Sequence, residues 1–128
     1  MLRETDFLVI AAPHTPETEG MIGEAELAAM KPSAVLINVG RGVIVDEDAL
    51  IRALQDRRLA GAALDVAREE PPPDDSPLWQ LPNVILSPHS ASTVTQEDER
   101  IIEIFCDNLR RYLRGEPLRN VLDKNKLY

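Results

Sequence analysis

Four short apolar runs separated by polar segments constrain the fold of this 128-residue chain more than any other feature. They have the sequences FLVIAA, VLINV, GAALDV and VIL and occupy residues 7–12, 35–39, 61–66 and 84–86. Apolar runs of this length are typical of strands that are covered on both faces. Because helical patterns separate the first three runs, we expect right-handed crossovers between parallel strands. The sequence therefore predicts an α/β layered domain built around a parallel sheet.

Two segments between the predicted strands have the pattern of short helices. Residues 23–30 form the first, with Gly23 as N-cap and glutamates in its first turn. The second begins at Asp46, also has an acidic first turn, and is expected to end at Arg57 and Arg58. This order of charges matches the helix dipole, which favours anions at the N-terminus and cations at the C-terminus.

The last helical pattern is the longest and covers residues 93–114. Thr93 and Gln96 resemble a capping box, and Gly115 is expected to stop the helix. Its apolar residues recur at helical spacing; they are Ile102, Phe105, Cys106, Leu109 and Leu113. The proline-rich stretch 71–77, before the last strand, is predicted to be a loop.

Four strands are few for a doubly wound α/β domain, and the first predicted strand begins almost at Met1. In the strand order 3-2-1-4-5-6 the fourth strand lies against the first, so a chain that starts at the fourth leaves one apolar strand edge unpaired. We therefore predict the C-terminal half of such a sheet, without its N-terminal half. Residues 1–92 would form this half domain, 93–114 the long helix and 115–128 a tail.

Charge and cysteine content exclude several classes of function. The formal net charge of −8 provides no positive field for a nucleic acid or an anionic membrane surface. The single cysteine, Cys106, excludes an internal disulfide and a cysteine-rich zinc site, and no metal is expected. There is no apolar run of the ~18 residues that span a bilayer, and the start of the chain lacks the features of a signal peptide. A cytoplasmic protein is the expectation.

Unusual polar residues follow the predicted strands, where open parallel sheets bind their ligands. Arg41 follows the second strand, Asp65 ends the third with Glu70 shortly after it, and His89 follows the fourth. An arginine fork can hold a carboxylate and an adjacent carbonyl oxygen. Histidine can deliver or accept a proton, and a neighbouring carboxylate would orient the imidazole and favour its protonated form. Such a set suits reversible reduction of a 2-oxo acid.

The glycines of the second strand end do not form a phosphate-binding loop. Gly40 and Gly42 have the spacing that opens a dinucleotide fingerprint, but Val45 occupies the position of its third small residue. Arg41 also lies inside the turn. The phosphate loop is therefore absent from this segment.

Four longer segments lie along most of the chain, between residues 12 and 121. They are APHTPETEGMI, MKPSAVLINVGRGVIVDEDAL, LAGAALDVAREEPPPDDSPLWQLPNVILSPHSAS and EPLRNV. They resemble, in the correct order, the C-terminal part of the D-isomer-specific 2-hydroxyacid dehydrogenases, and the SPHSAS and EPLRNVLD forms resemble glyoxylate or hydroxypyruvate reductase-like members. The resemblance implies an NAD(P)-dependent oxidoreductase that acts on D-2-hydroxy acids and 2-oxo acids, with a Rossmann-type nucleotide domain inserted within its substrate domain.

The resemblance also implies roles for individual residues. Arg41 matches the substrate-binding arginine, His89 the acid/base, and Glu70 its carboxylate partner, where a glutamate favours hydroxy-acid chemistry over formate oxidation. Asp65 matches the residue that meets the nicotinamide end of the cofactor. The expected cofactor-binding residues are Ala12, Pro13, Val39, Gly40, Arg41, Asp65, His89, Ser90, Ala91 and Ser92. Ser92 departs from the glycine common there. The cofactor is NAD or NADP, the substrate a small 2-oxo or 2-hydroxy acid, and the parent enzyme a homodimer.

Two functions stay open because the family's GxGxxG turn and most of its substrate domain would precede Met1. One is the oxidoreductase, of which this chain is a C-terminal fragment. The other is a dehydrogenase-like binding protein without catalysis, such as a corepressor or a truncated remnant. On its own, the 128-residue chain is expected neither to bind the dinucleotide tightly nor to turn over substrate.

Overall fold

The computed structural model describes residues 1–125 and contains one four-stranded parallel sheet. Neighbouring strands follow each other along the chain in the order β1-β2-β3-β4. The strands are β1 (Phe7–Ile10), β2 (Val35–Asn38), β3 (Gly61–Leu64) and β4 (Val84–Leu86). The helices are α1 (Glu24–Ala28), α2 (Glu47–Gln55) and α3 (Glu97–Leu113). Short 3₁₀ turns lie at Leu2–Glu4, Gly42–Ile44 and Pro77–Trp79. The predicted parallel α/β architecture is confirmed.

The strands pair in register, so that one row of residues closes the carboxyl end of the sheet. Ile10 pairs with Asn38, Asn38 with Leu64, and Leu64 with Leu86. The first three strands are one or two residues shorter than their apolar runs, because pairing stops at this row. β1 lies at one edge, with β2 as its strand partner among the described residues, as predicted.

The sheet is buried on one face and open on the other, so the expectation of strands covered on both faces was wrong. Leu36 and Ala62 are neighbours in one row and are 0% and 3% exposed. Side chains of adjacent positions point to the opposite face, where Phe7, Val9 and Ile85 are 66%, 57% and 72% exposed. Apolar composition therefore identified the strands but did not determine which of their faces are covered within this chain.

The core forms where α1 and α2 meet the buried face of the sheet. Its largest fully buried apolar side chains are Leu27, Leu36, Ile44, Leu50, Leu54, Leu59 and Leu78. Asp46 is the N-cap of α2 as predicted, since its carboxylate accepts a hydrogen bond from the Ala49 N–H at 3.0 Å. α2 ends at Gln55, before the two arginines expected to close it, because Arg57 turns into the left-handed region at φ 54°.

α3 begins later than its predicted capping box. Gln96 is the N-cap, but its side chain makes no capping hydrogen bond, and the helix starts with the acidic run Glu97–Glu99. Negative charges in the first turn stabilise a helix start without a side-chain cap. Residue contacts divide the chain into two units, Met1–Ala91 and a second that begins at Ser92 and contains α3. Within the described residues, no helix has the length and apolar character needed to cross a membrane.

Truncating a side chain to alanine should lower the free energy of unfolding more on the buried face of the sheet than on the open face. Leu36→Ala removes a side chain that is 0% exposed and should lower the free energy of unfolding by about 2–5 kcal/mol, since it leaves a cavity in the core. Ile85→Ala is the control, because this side chain is 72% exposed; its effect should stay within about 0.5 kcal/mol. Urea denaturation measures both, and equal losses would contradict the assignment of the open face.

Candidate active site

The predicted site residues of the first unit follow the carboxyl ends of the strands. Arg41 lies three residues after β2, Asp65 directly after β3, and His89 three residues after β4. Because the strands are parallel and in register, these positions lie at one edge of the sheet. The sheet therefore gathers the three segments that the sequence singled out.

The turn that carries Arg41 is held by a buried asparagine that the sequence interpretation missed. Asn38 is 1% exposed. Its side-chain amide donates to the Arg41 carbonyl oxygen at 3.0 Å and its Oδ1 accepts from the Gly40 N–H at 3.0 Å. The Arg41 guanidinium donates to the Gly40 carbonyl oxygen at 2.7 Å. The signal available in the sequence was this one polar residue at the end of an otherwise apolar run.

Two glycines let this turn pack against the backbones of its neighbours. A Cβ at Gly40 would lie 2.8 Å from the Ala12 carbonyl oxygen, in the segment after β1. A Cβ at Gly42 would lie 1.9 Å from the Ala67 carbonyl oxygen, in the segment after β3. Since contacts this short are impossible for a side chain, glycine is required for the approach on both sides. The turn is thereby packed directly against the segment that leads to Glu70.

His89 and Glu70 form the hydrogen-bonded pair that the family resemblance implies. His89 Nδ1 lies 2.6 Å from Glu70 Oε2, and the other carboxylate oxygen of Glu70 accepts from the Ala67 N–H at 3.2 Å. An ionised carboxylate only accepts, so the imidazole donates through Nδ1. Both side chains are partly exposed, at 46% for His89 and 36% for Glu70. The pair orients the imidazole, and the other ring nitrogen, Nε2, takes no part in this contact.

Asp65 holds the turn that carries His89. Its carboxylate accepts from the Ser90 N–H at 2.8 Å and from the Ala91 N–H at 2.9 Å. Hydrogen bonds from the Ser87 hydroxyl and from these backbone groups hold the pKa of the Asp65 carboxyl below its usual range. The residue is 7% exposed, and His89 itself adopts a left-handed φ of 52°. Both oxygens of this carboxylate are therefore engaged with the protein.

The other predicted cofactor residues lie at strand ends or in the His89 turn. Ala12 and Pro13 follow β1, and Val39 follows β2 with 40% of its surface exposed. Ser90 and Ala91 belong to the His89 turn. Ser92 begins the second unit of the chain.

A cavity of about 450 Å³ opens beside the His89–Glu70 pair, beyond the ends of β3 and β4. Its walls are mainly apolar and include Val66, Pro71, Trp79, Leu86 and Pro88. Trp79 is 53% exposed, and its indole N–H donates to the Pro73 carbonyl oxygen at 2.9 Å. An apolar wall lowers the local dielectric constant and strengthens a nearby charge-assisted hydrogen bond.

Comparison with known proteins identifies the family. Residues 1–91 match the model of the D-isomer specific 2-hydroxyacid dehydrogenase family, NAD binding domain. The chain belongs to this family. Glyoxylate/hydroxypyruvate reductase B of Pectobacterium carotovorum subsp. carotovorum (strain PC1) is 47% identical over 127 residues, which are 99% of this chain and 40% of that protein. Glyoxylate reductase of Korarchaeum cryptofilum (strain OPF8) is 44% identical over 124 residues, 97% of this chain and 37% of that protein.

Solved structures of the same family have the same fold. A D-isomer specific 2-hydroxyacid dehydrogenase from Xanthobacter autotrophicus Py2, in complex with NADPH and MES, matches with a TM-score of 0.92 and 40% identity over 99% of this chain and 52% of that one. An NADPH-dependent glyoxylate/hydroxypyruvate reductase from Sinorhizobium meliloti, in complex with NADP and sulfate, matches with a TM-score of 0.90 and 34% identity over 99% of this chain and 41% of that one. The chain thus spans about 40% of the length of the curated relatives described above.

The two histidines of the sequence should adopt opposite neutral tautomers. His89 donates through Nδ1 to Glu70, whereas His14 contacts Glu19 through Nε2 at 3.1 Å. ¹⁵N NMR above the pH at which the imidazoles titrate should therefore detect mainly the Nδ1–H form of His89 and the Nε2–H form of His14. Glu70→Ala should convert His89 to the Nε2–H form and leave His14 unchanged. An Nε2–H tautomer of His89 in the unmodified chain would contradict the pairing.

The His89 turn should loosen in acid through Asp65. Because the pKa of this carboxyl is lowered in the fold, its stabilising effect is complete above the unfolded value of about 3.9 and is lost as the pH falls through the folded value. The amide resonances of Ser90 and Ala91 should thus show an acid transition centred below about 3.9. Asp65→Asn, which does not titrate, should abolish this transition. If the transition that Asp65→Asn removes is centred above the ordinary aspartate value, the assignment is refuted.

Proposed function

We propose that this chain supplies the substrate-binding and acid/base residues of an NAD(P)-dependent oxidoreductase that acts on D-2-hydroxy acids and 2-oxo acids. The observation that carries the proposal is the 2.6 Å contact between His89 Nδ1 and Glu70 Oε2, at the same sheet edge as Arg41. Arginine, carboxylate and imidazole are the groups that reduction of a small keto acid requires. The family to which the chain belongs supports this chemistry.

In this proposal Arg41 binds the substrate. Its guanidinium stays charged at any working pH and can hold the carboxylate of a 2-oxo acid together with the neighbouring carbonyl oxygen. The Asn38 hydrogen bonds fix the backbone on both sides of the Arg41 Cα. The exposed Arg41 side chain therefore extends from a turn that is itself rigid, which limits the entropy lost when substrate binds.

His89 is proposed to transfer the proton. With Nδ1 donating to Glu70, Nε2 is the nitrogen that can donate to the carbonyl oxygen during reduction, or accept the hydroxyl proton during oxidation. Glu70 keeps the imidazole ring in one orientation through its contact with Nδ1. The charge that develops on the carbonyl oxygen is neutralised by the proton from Nε2 and by the Arg41 guanidinium.

The positions assigned to the nucleotide are chemically suited to it. Ala12, Pro13 and Gly40 offer backbone and small side chains at the ends of β1 and β2, and Val39 offers an exposed apolar surface to a flat ring. We propose that these residues, with Arg41, Asp65 and the turn 89–92, hold the nicotinamide end of NAD or NADP. The bound dihydronicotinamide would supply the hydride.

The names of the relatives indicate glyoxylate and hydroxypyruvate as the first substrates to test. A cytoplasmic location stays a prediction from the composition of the sequence. A homodimer formed through nucleotide domains and the return of helix 93–114 towards a substrate domain stay predictions of the family resemblance. The non-catalytic binding protein is the outcome if the protein at its full natural length binds nucleotide without turnover.

Substitutions at the site should separate binding from proton transfer. In the protein at its full natural length, His89→Asn should lower kcat by about 10²- to 10⁴-fold, because the general acid is removed, and leave nucleotide affinity nearly unchanged. Arg41→Lys should chiefly raise KM for the 2-oxo acid, since a point charge replaces the bidentate fork. Loss of NADH or NADPH absorbance with glyoxylate or hydroxypyruvate measures both.

The control is Arg52→Ala, which removes an exposed arginine of α2 that pairs with Glu24 of α1 at 3.1 Å. Its kcat and KM should match those of the unmodified protein. Near-normal turnover in His89→Asn would remove the proton-transfer role, and absence of turnover in the unmodified protein would favour the non-catalytic alternative.

A further inference from the structure

One buried carboxylate near the site has no part in the proposed chemistry. Glu47, the first residue of α2, is 9% exposed. Its Oε2 accepts a hydrogen bond from the backbone N–H of Arg68 at 2.8 Å. Arg68 belongs to the segment after β3 that leads to Glu70. A buried glutamate thus joins the start of a helix to the backbone of the segment that carries the partner of His89.

Three consecutive hydrogen bonds connect Glu47 to the imidazole. Glu47 holds the Arg68 N–H, and the preceding N–H, that of Ala67, donates to Glu70 Oε1 at 3.2 Å. The other oxygen of Glu70 binds His89 Nδ1 at 2.6 Å. Fixing the Arg68 backbone therefore fixes the adjacent donor on which the Glu70 carboxylate depends.

The same segment has little other support. Arg68 and Glu70 are exposed residues, and Gly42 packs against the backbone of Ala67. The Arg68 guanidinium also pairs with Asp48, at 2.7 Å and 3.3 Å, but both side chains are more than half exposed. Exposed ion pairs contribute little, whereas a buried, charge-assisted hydrogen bond to backbone contributes more.

We propose that Glu47 is a positioning residue for the acid/base pair: by holding the Arg68 N–H, it keeps Glu70 in place to orient His89. This inference rests on the proposed function for its catalytic meaning, but the positioning itself can be measured without turnover. Glu47 touches neither His89 nor Glu70, and acts through the backbone between them.

A crossed pair of substitutions separates this role from helix stabilisation. Glu47→Gln keeps the length of the side chain and an oxygen that can accept from Arg68, but loses the charge. Glu47→Asp keeps the negative charge at the start of α2, but shortens its reach. If Glu47 acts only on the helix dipole, the aspartate variant is normal and the glutamine variant is impaired. If it positions the Glu70 segment, the glutamine variant is normal and the aspartate variant is impaired.

The readout is the tautomer of His89, observed by ¹⁵N NMR in the 128-residue chain, with His14 as internal reference. Glu47→Asp should reduce the Nδ1–H form of His89 from the major to the minor species, and Glu47→Gln should retain it. Asp48→Ala, the matched control, removes the exposed ion pair and one first-turn charge of α2 but no contact with the Arg68 backbone, and should retain it. His14 should be unchanged in every variant. An Nδ1–H form that persists in a folded Glu47→Asp variant, or is lost equally in Asp48→Ala, would overturn the proposal.

A kinetic measurement completes the test in the protein at its full natural length. Glu47→Asp should lower kcat by roughly 10- to 100-fold with little change in KM for the 2-oxo acid, since Arg41 is unaffected and only the orientation of the acid/base is lost. Glu47→Gln should restore most of kcat. A normal kcat in Glu47→Asp would overturn the role in catalysis. Absence of turnover in the unmodified protein would instead count against the proposed function, while the tautomer measurement would still decide the positioning.

Discussion

The register of the parallel sheet is the constraint on which the site depends. Ile10, Asn38, Leu64 and Leu86 form one row across the four strands, and every proposed functional segment of the first unit begins just beyond that row. A shift of register by one residue would move side chains to the opposite face of the sheet. It would also separate Glu70 from His89, which lie 19 positions apart in the chain and meet only because β3 and β4 are neighbours.

Buried polar side chains hold the segments beyond the sheet. Asn38, Glu47 and Asp65 are each less than a tenth exposed, and each makes at least one hydrogen bond to the backbone of a segment that follows a strand. Loops lack the repeating hydrogen bonds of helices and strands, so their precision has to come from such contacts or from packing. In this structure three polar residues fix the three segments that carry Arg41, Glu70 and His89.

Much of the fold could be predicted because apolar runs, helix-capping residues and charge order are local signals. The four strands and the N-cap at Asp46 were predicted from these signals and are confirmed. The pairing of Glu70 with His89, which the family resemblance implied, is also present. The prediction that both faces of the sheet are covered was wrong, since burial depends on what packs against a strand rather than on the strand itself. The capping box at Thr93 was also wrong, because the acidic run Glu97–Glu99 starts α3 further along.

The sequence by itself determined the strands, the order of the elements and the chemical types of the site residues. Local hydrophobicity, turn residues and family motifs are all properties of short stretches of sequence. Only the tertiary structure decided that Asn38 holds the Arg41 turn, that Gly42 packs against Ala67, and that Glu47 reaches the Arg68 backbone. The last two of these contacts join segments whose separation is fixed by sheet pairing and helix packing. A backbone donor looks the same at every position of a sequence, so its partner is defined only when the chain is folded.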